Sequence, residues 1–203
     1  MFAIGHFGLG YLFGKATSKL MGTRLNLALL FTVSVLPDFD LLMFPFTKHR
    51  GPLHSLLFSL LVCLPFLVVY LKKAFPYFVA LLSHSLIGDI FSGGSQLFWP
   101  FSTEWIFISN FYVRGVISVS LELVIFVVCT FVMVVNKDFQ GLLFSETKRG
   151  HWLIPLGMVL GPLVTGTINP DYNLPLLLVV PSLFYIAIFS YLIIGLGQKK
   201  EYA

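Results

Sequence analysis

Four short motifs in this 203-residue chain carry histidine and carboxylate side chains at spacings that suit a divalent cation. The first is Leu36-Pro37-Asp38-Phe39-Asp40. Pro37 disfavours helical geometry at Leu36, and in an extended segment residues i and i+2 point the same way, so Asp38 and Asp40 can face one ion. The plain alternative is a helix end followed by a solvated turn. The second is His49-Arg50-Gly51-Pro52-Leu53-His54-Ser55. Pro52 suits the first turn of a following helix, and Gly51 lets the chain fold back so that His49 and His54 reach one site. Arg50 supplies a fixed cation that can hold a phosphate bidentately, and Ser55 a hydrogen bond to orient a ligand. The alternative is a pair of interfacial histidines beside a snorkelling arginine.

The third motif, Ser83-His84-Ser85-Leu86-Ile87-Gly88-Asp89, lies in an otherwise apolar stretch, where ionisable groups are costly and usually mark function. The plain alternative, for a lone histidine, is a hydrogen bond between helices, and Asp89 tips the balance towards a ligand. In a regular helix His84 and Asp89 would lie about 140° apart. They share a metal only if the helix loosens near Gly88. The fourth is Glu122, inside a long apolar run, where a carboxylate needs a cation, a histidine or Arg114, or else a proton and a partner helix. His6, in the apolar N-terminal stretch, completes the set. Histidine with carboxylate is the ligand set of zinc or a similar ion such as manganese, and more than four such groups can serve one or two ions.

These motifs sit in a chain that is 57% hydrophobic and 11% charged, with a mean hydropathy of +0.90. Soluble domains carry about 25% charged residues, so an ordinary water-soluble globule, a disordered tail and a collagen-like fibre are excluded. The chain reads as an all-α integral membrane protein, one membrane domain over residues 1–203, with the site in 1–125 and further helices in 126–203. Runs of roughly 17–25 apolar residues span a bilayer. Leu53–Leu71, Phe75–Phe91, Gly115–Val135 and Leu174–Leu196 meet that length, and His151–Ile168, with Pro155 and Pro162, is borderline. Phe2–Gly14 and Leu25–Leu36 are shorter and predict a tilted hairpin turning at Lys15–Arg24. The sum is six or seven helical segments, five to seven of them transmembrane. Cys63 and Cys129 lie in apolar runs and read as buried small hydrophobes. The N-terminus lacks the cationic region of a cleavable signal peptide.

If all seven segments cross, ten of the thirteen lysines and arginines gather on one side, Lys15, Lys19, Arg24, Lys72, Lys73, Lys137, Lys148, Arg149, Lys199 and Lys200, and only Lys48, Arg50 and Arg114 fall on the other. Basic loops mark the cytoplasmic face, which predicts a multi-pass plasma (inner) membrane protein with its N-terminus outside and its C-terminus inside. The net charge of +4 is then membrane anchoring, and no nucleic-acid partner is expected. On the opposite side fall Asp38, Asp40, Asp89, Glu104, Glu122 and Asp171, with His6, His49, His54 and His84.

At these residues the sequence resembles the YdjM-like family of membrane-bound, metal-dependent hydrolases. The resemblance rests on Gly5-His6, Leu36-Pro37-Asp38-Phe39-Asp40, His49-Arg50-Gly51 with His54-Ser55, Ser83-His84 and Trp99-Pro100-Phe101, and covers roughly residues 1–125. It implies that Glu122 is the glutamate such proteins carry on the helix after the Trp-Pro element. Family members place an aspartate four residues after the Ser-His histidine. Here that position is Gly88, and the aspartate follows one residue later at Asp89.

The functional expectation is a divalent-metal hydrolase acting on a phosphoester, such as a phospholipid head group, at the outer membrane interface. His6, Asp38, Asp40, His49, His54, His84, Asp89 and Glu122 would hold metal, with Asp40 alternatively a general base and Arg50 a phosphate clamp. Phe98, Trp99 and Phe101 would form an aromatic collar at head-group depth, with Gly93 and Gly94 making the preceding loop pliable. The alternatives are a divalent-cation transporter or channel, whose site would lie nearer the bilayer midplane, and a scaffold with a structural metal. No Gly-x-Ser-x-Gly elbow supports a serine hydrolase.

Overall fold

Small residues decide how the first two helices pack. The computed structural model describes residues 1–43, 49–108, 111–144, 148–168 and 173–195. Asp171, Lys48, Lys199 and Lys200 lie outside the described residues. Helix α1 (Ala3–Met21) ends on Gly22 in the left-handed conformation (φ 62°). Lys15 and Lys19 are therefore on the helix, and the turn expected at 15–24 shrinks to the residues before α2 (Leu27–Ser34), which Asn26 caps by accepting the Leu29 N–H. A Cβ at Gly10 would overlap Ser34 Oγ, and one at Gly14 would lie 2.6 Å from Leu30. Only glycine lets α2 approach α1 this closely. The pairs Gly14–Leu30 and Gly10–Ser34 define an antiparallel register.

A 3₁₀ segment (Leu36–Met43) follows α2, and another (Pro52–His54) precedes α3 (Leu56–Tyr70). Helix α4 (Phe75–Ser83) continues through a π-helical turn at His84–Asp89 and a 3₁₀ turn at Ile90–Ser92. Helix α5 (Val116–Val135) runs parallel to α1, with Gly5 beside Glu122, Gly8 beside Ile125 and Lys19 bonded to Asn136. The short α6 (Asp138–Leu143), α7 (Leu153–Ile168) and α8 (Leu176–Ile194) complete the bundle. Among the described residues there is no β-strand, only an isolated antiparallel bridge between Ser95 and Ile106.

The core is aromatic. Phe7 of α1 meets Phe31 of α2 and Tyr185 of α8, both at 5.3 Å, with Phe189 and Trp152 stacked alongside. Four stretches are long and apolar enough to cross a membrane: Leu56–Lys73, Phe75–Ser92, Val116–Val135 and Leu176–Ile194. They correspond to the four clear runs in the sequence. The other three segments fall outside that criterion. Helix α2, with 8 residues, extends about 12 Å, less than half of a ~30 Å hydrocarbon layer. Its polar continuation carries Asp38 and Asp40 into the interior of one end of the bundle.

Candidate metal centre

The α1–α2 register carries directly into the site. One more step along it puts His6 opposite Asp38, with His6 Nε2 4.0 Å from Asp38 Oδ2. The segment bearing Asp38 is 3₁₀ rather than extended, yet the two aspartates still share one ligand group, both beside His54 Nε2. Asp38 faces α1 and α4, with Oδ1 3.4 Å from His84 Nε2 and 3.8 Å from His54 Nε2. Asp40 faces the following loop, with Oδ1 2.8 Å from His49 Nδ1 and Oδ2 3.1 Å from His54 Nε2.

The loop reverses at Arg50, not Gly51. Arg50 takes the left-handed conformation (φ 63°), rare for a residue with a side chain, and its N–H donates to Asp40 Oδ2 at 2.9 Å. Pro52 opens the 3₁₀ turn that ends on His54, and α3 begins beyond it. Ser55 is the N-cap of α3, its hydroxyl oxygen accepting the Phe58 N–H at 3.0 Å.

His84 and Asp89 do meet, through the π-helical turn. A π turn closes i→i−5 rather than i→i−4 bonds and is a recurrent feature of functional sites. His84 Nδ1 donates to the Ser34 carbonyl at 2.7 Å, which fixes the tautomer and leaves Nε2 as the free ligand atom. Asp89 Oδ2 pairs with His54 Nδ1 at 2.6 Å and lies 3.7 Å from His84 Nε2. The His6 ring stacks on His84 at 3.5 Å with 9° between planes and rests on Gly88, where a Cβ would lie 2.5 Å from His6 Cε1. The His6 ring therefore occupies the space that a side chain at residue 88 would need.

Two expected site residues do something else. Glu122 accepts the Phe2 N–H with both oxygens, at 3.0 and 3.1 Å. Helix α1 has no side-chain cap of its own, and a carboxylate at a helix N-terminus is stabilising. Glu122 therefore caps α1 and joins neither ligand group. Arg50 is buried, with Nη1 donating to the Ser92 carbonyl at 2.6 Å, Nη2 to Ser92 Oγ at 3.3 Å, and Nε 3.6 Å from Asp89 Oδ1. Its fork is engaged with protein groups, where the sequence predicts that it holds a phosphate. The sequence reading missed Ser34 and Ser92. Ser34 contributes a backbone carbonyl, which residue type does not encode, and Ser92 follows the motif that ends at Asp89 without a signal of its own.

The remaining side chains form two groups whose ligand atoms lie within 4.8 Å of one another: Asp38, Asp40, His49 and His54, and His6, His84 and Asp89. Asp38 stands between them. All are buried except His49, whose side chain is 39% exposed. Both ring nitrogens of His6, Nε2 of His84 and Oδ1 of Asp89 are buried with no hydrogen-bond partner. Orphaned buried polar atoms are costly, and here they converge. Zinc takes nitrogen and oxygen ligands at about 2.0–2.2 Å, so each set closes on an ion with shifts below about 1 Å per side chain. The donors present fit one or two divalent ions.

Without an ion the groups hold one another. Burial pushes the Asp38 carboxyl up, but His84, His6 and His54 outweigh it and hold it below the usual carboxylate range. Asp40 is lowered in the same way, burial being outweighed by His49 and His54. Burial pushes His54 down, whereas Asp89, Asp40 and Asp38 raise it to about 10.

No curated protein and no solved structure matches this chain. A family model described as YdjM inner membrane protein matches residues 1–194. The match runs beyond residue 125, past the quoted motifs, through α7 and α8. The apolar helices and the five quoted motifs thus lie within one family pattern, and the chain belongs to the YdjM inner membrane protein family.

Proposed function

We propose that the protein is a membrane-embedded, divalent-metal-dependent hydrolase of a phosphoester such as a phospholipid head group. The observation that carries the reading is the convergence of seven His and Asp side chains from four chain segments, with unpartnered nitrogens among them. The cluster lies at one end of the bundle rather than halfway along it, which favours a hydrolase over a transporter. A bound zinc or manganese ion would polarise the phosphoryl group and bring the pKa of its water near neutrality.

The chain's own groups divide the remaining work. Asp40 and His49 form the pair nearest solvent, and a proton taken by Asp40 leaves through the exposed His49 ring. His84, locked by the Ser34 carbonyl, and His54, held by Asp89, offer Nε2 in fixed orientation. Arg50 is a positioning residue that ties Asp89 to the loop over the site. Phe98, Trp99 and Phe101 on that loop are exposed, and aromatic side chains favour head-group depth. In this reading the site faces outward, and the lysine-rich end faces the cytoplasm.

The test is metal analysis of the purified protein, followed by hydrolysis assays with phospholipids and a chromogenic phosphodiester. Stoichiometric zinc or manganese and turnover that Asp40→Asn abolishes are expected. A folded protein that takes up neither metal, or takes up metal and hydrolyses no phosphoester, overturns the reading.

A further inference from the structure

The end of the bundle away from the His–Asp cluster holds a cavity of about 480 Å³, within the roughly 300–1,000 Å³ range of small-molecule sites. It lies among the C-terminal half of α1, the N-terminus of α2 and α6, with Lys15, Arg24, Asn26, Asp138 and Gly141 on its walls. Its chemistry is that of an anion site. Lys15 pairs with Asp138 at 2.6 Å, and Tyr11 donates to the same carboxylate. Asp138 is thereby neutralised, and Arg24 remains as an exposed cation in excess. Asn26 uses its Oδ1 to cap α2, which leaves its amide N–H₂ as a donor. The N–H groups of Leu27 and Ala28, in the first turn of α2, have no acceptor within the helix.

The surroundings name the source of the anion. Lys19, Lys72, Lys73 and Lys137 lie at the same end, and Asp138 is the single carboxylate there among the described residues. Basic pockets beside membrane helices recognise anionic lipid head groups. We propose that this cavity holds the phosphate of an anionic phospholipid from the adjoining leaflet, with Arg24, Lys15 and the Asn26 amide as its donors. The site is independent of the metal centre and of any reaction there.

The experiment measures lipid adducts by native mass spectrometry on the full-length protein, extracted in non-ionic detergent from bilayers of phosphatidylcholine containing a minor fraction of phosphatidylglycerol. Selective retention of phosphatidylglycerol is expected, about tenfold lower in Arg24→Gln. Gly141→Phe gives a second arm. A Cβ at Gly141 meets nothing within 4 Å, so the ring fills the cavity without removing a charge, and it should lower retention equally. Lys19→Gln removes a charge at the same end, where Lys19 is bonded to Asn136, and should retain the lipid. Equal retention in Gly141→Phe and the parent overturns the proposal, as does equal loss in Lys19→Gln. Displacement of the lipid by inorganic phosphate assigns the cavity to soluble phosphates and overturns the lipid assignment.

Discussion

His84 and Asp89 are five residues apart on one helical stretch, and His84 Nε2 nevertheless lies 3.7 Å from Asp89 Oδ2. The π-helical turn between them absorbs the extra residue and turns both side chains into the cluster. It also leaves Gly88 beneath the His6 ring, so the turn and the glycine act together.

Gly88→Ala tests that pairing. The added Cβ would lie 2.5 Å from Cε1 and 2.7 Å from Nδ1 of His6, and the stacked ring cannot yield without moving His84. Overpacking of this kind costs about 1–3 kcal/mol. The expected outcome is a lower thermal midpoint together with at least tenfold weaker metal binding, read by competition with a chromogenic chelator. Unchanged affinity would show that His6 is not part of the site.

The four clear membrane segments were legible because their signal is apolar length, which survives any tertiary arrangement. His49, His54 and the two aspartates were legible as ligand types, and Gly88 as the place where the helix must loosen. The register that brings His6 to Asp38 was not legible, because it depends on which glycines of α1 meet α2 rather than on any motif. Glu122 illustrates the same limit. A buried carboxylate signals a needed partner, and sequence does not distinguish a cation from the open N-terminus of a neighbouring helix.

That distinction is measurable with Glu122→Gln. If the side chain caps α1 through the Phe2 N–H, the amide keeps one acceptor and loses the charge, at a cost of about 1 kcal/mol. Metal content should match the parent while the thermal midpoint falls. A loss of metal without loss of stability would return Glu122 to the ligand set.

The helix register predicts the behaviour of Gly10→Ala. Its Cβ would overlap Ser34 Oγ, and Ser34 also supplies the carbonyl that locks His84. Pushing α2 away therefore moves Asp38 and frees His84 in one step. Both metal affinity and stability should drop, whereas Gly141→Ala, with open space around it, should change neither. Parallel metal titrations and melting curves of the two variants decide it.

Proton linkage gives a fourth expectation. In the metal-free protein His54 is raised from 6.5 to about 10, so it stays protonated at neutral pH. Its contribution to the metal-free fold is complete below about 6.5 and is lost as pH rises toward 10. Over the same window an ion no longer has to displace that proton, and affinity should rise by up to about tenfold per pH unit. Melting curves in chelator should therefore fall with rising pH, while metal titrations strengthen. A parent protein whose midpoint follows that of His54→Gln across this range would contradict the assignment.

Arg50 joins the His–Asp cluster to the loop above it, and Arg50→Lys separates that role from simple charge. The guanidinium reaches the Ser92 carbonyl, Ser92 Oγ and Asp89 at once, a fork that a lysine ammonium cannot reproduce. Downstream of those contacts, Gln96 donates its N–H to the Arg50 carbonyl, and Ser95 exchanges backbone bonds with Ile106. The loop that displays Phe98, Trp99 and Phe101 is therefore anchored at its base through residue 50. Lysine keeps the positive charge, so metal content should change little. Hydrogen exchange at Gly94–Ile106 should accelerate, because the anchoring bonds to Ser92 are lost. If the loop presents substrate to the ion, kcat/KM for a phospholipid should fall further than for a small soluble phosphodiester. Equal losses on the two substrates would place Arg50 at the ion itself rather than at the loop.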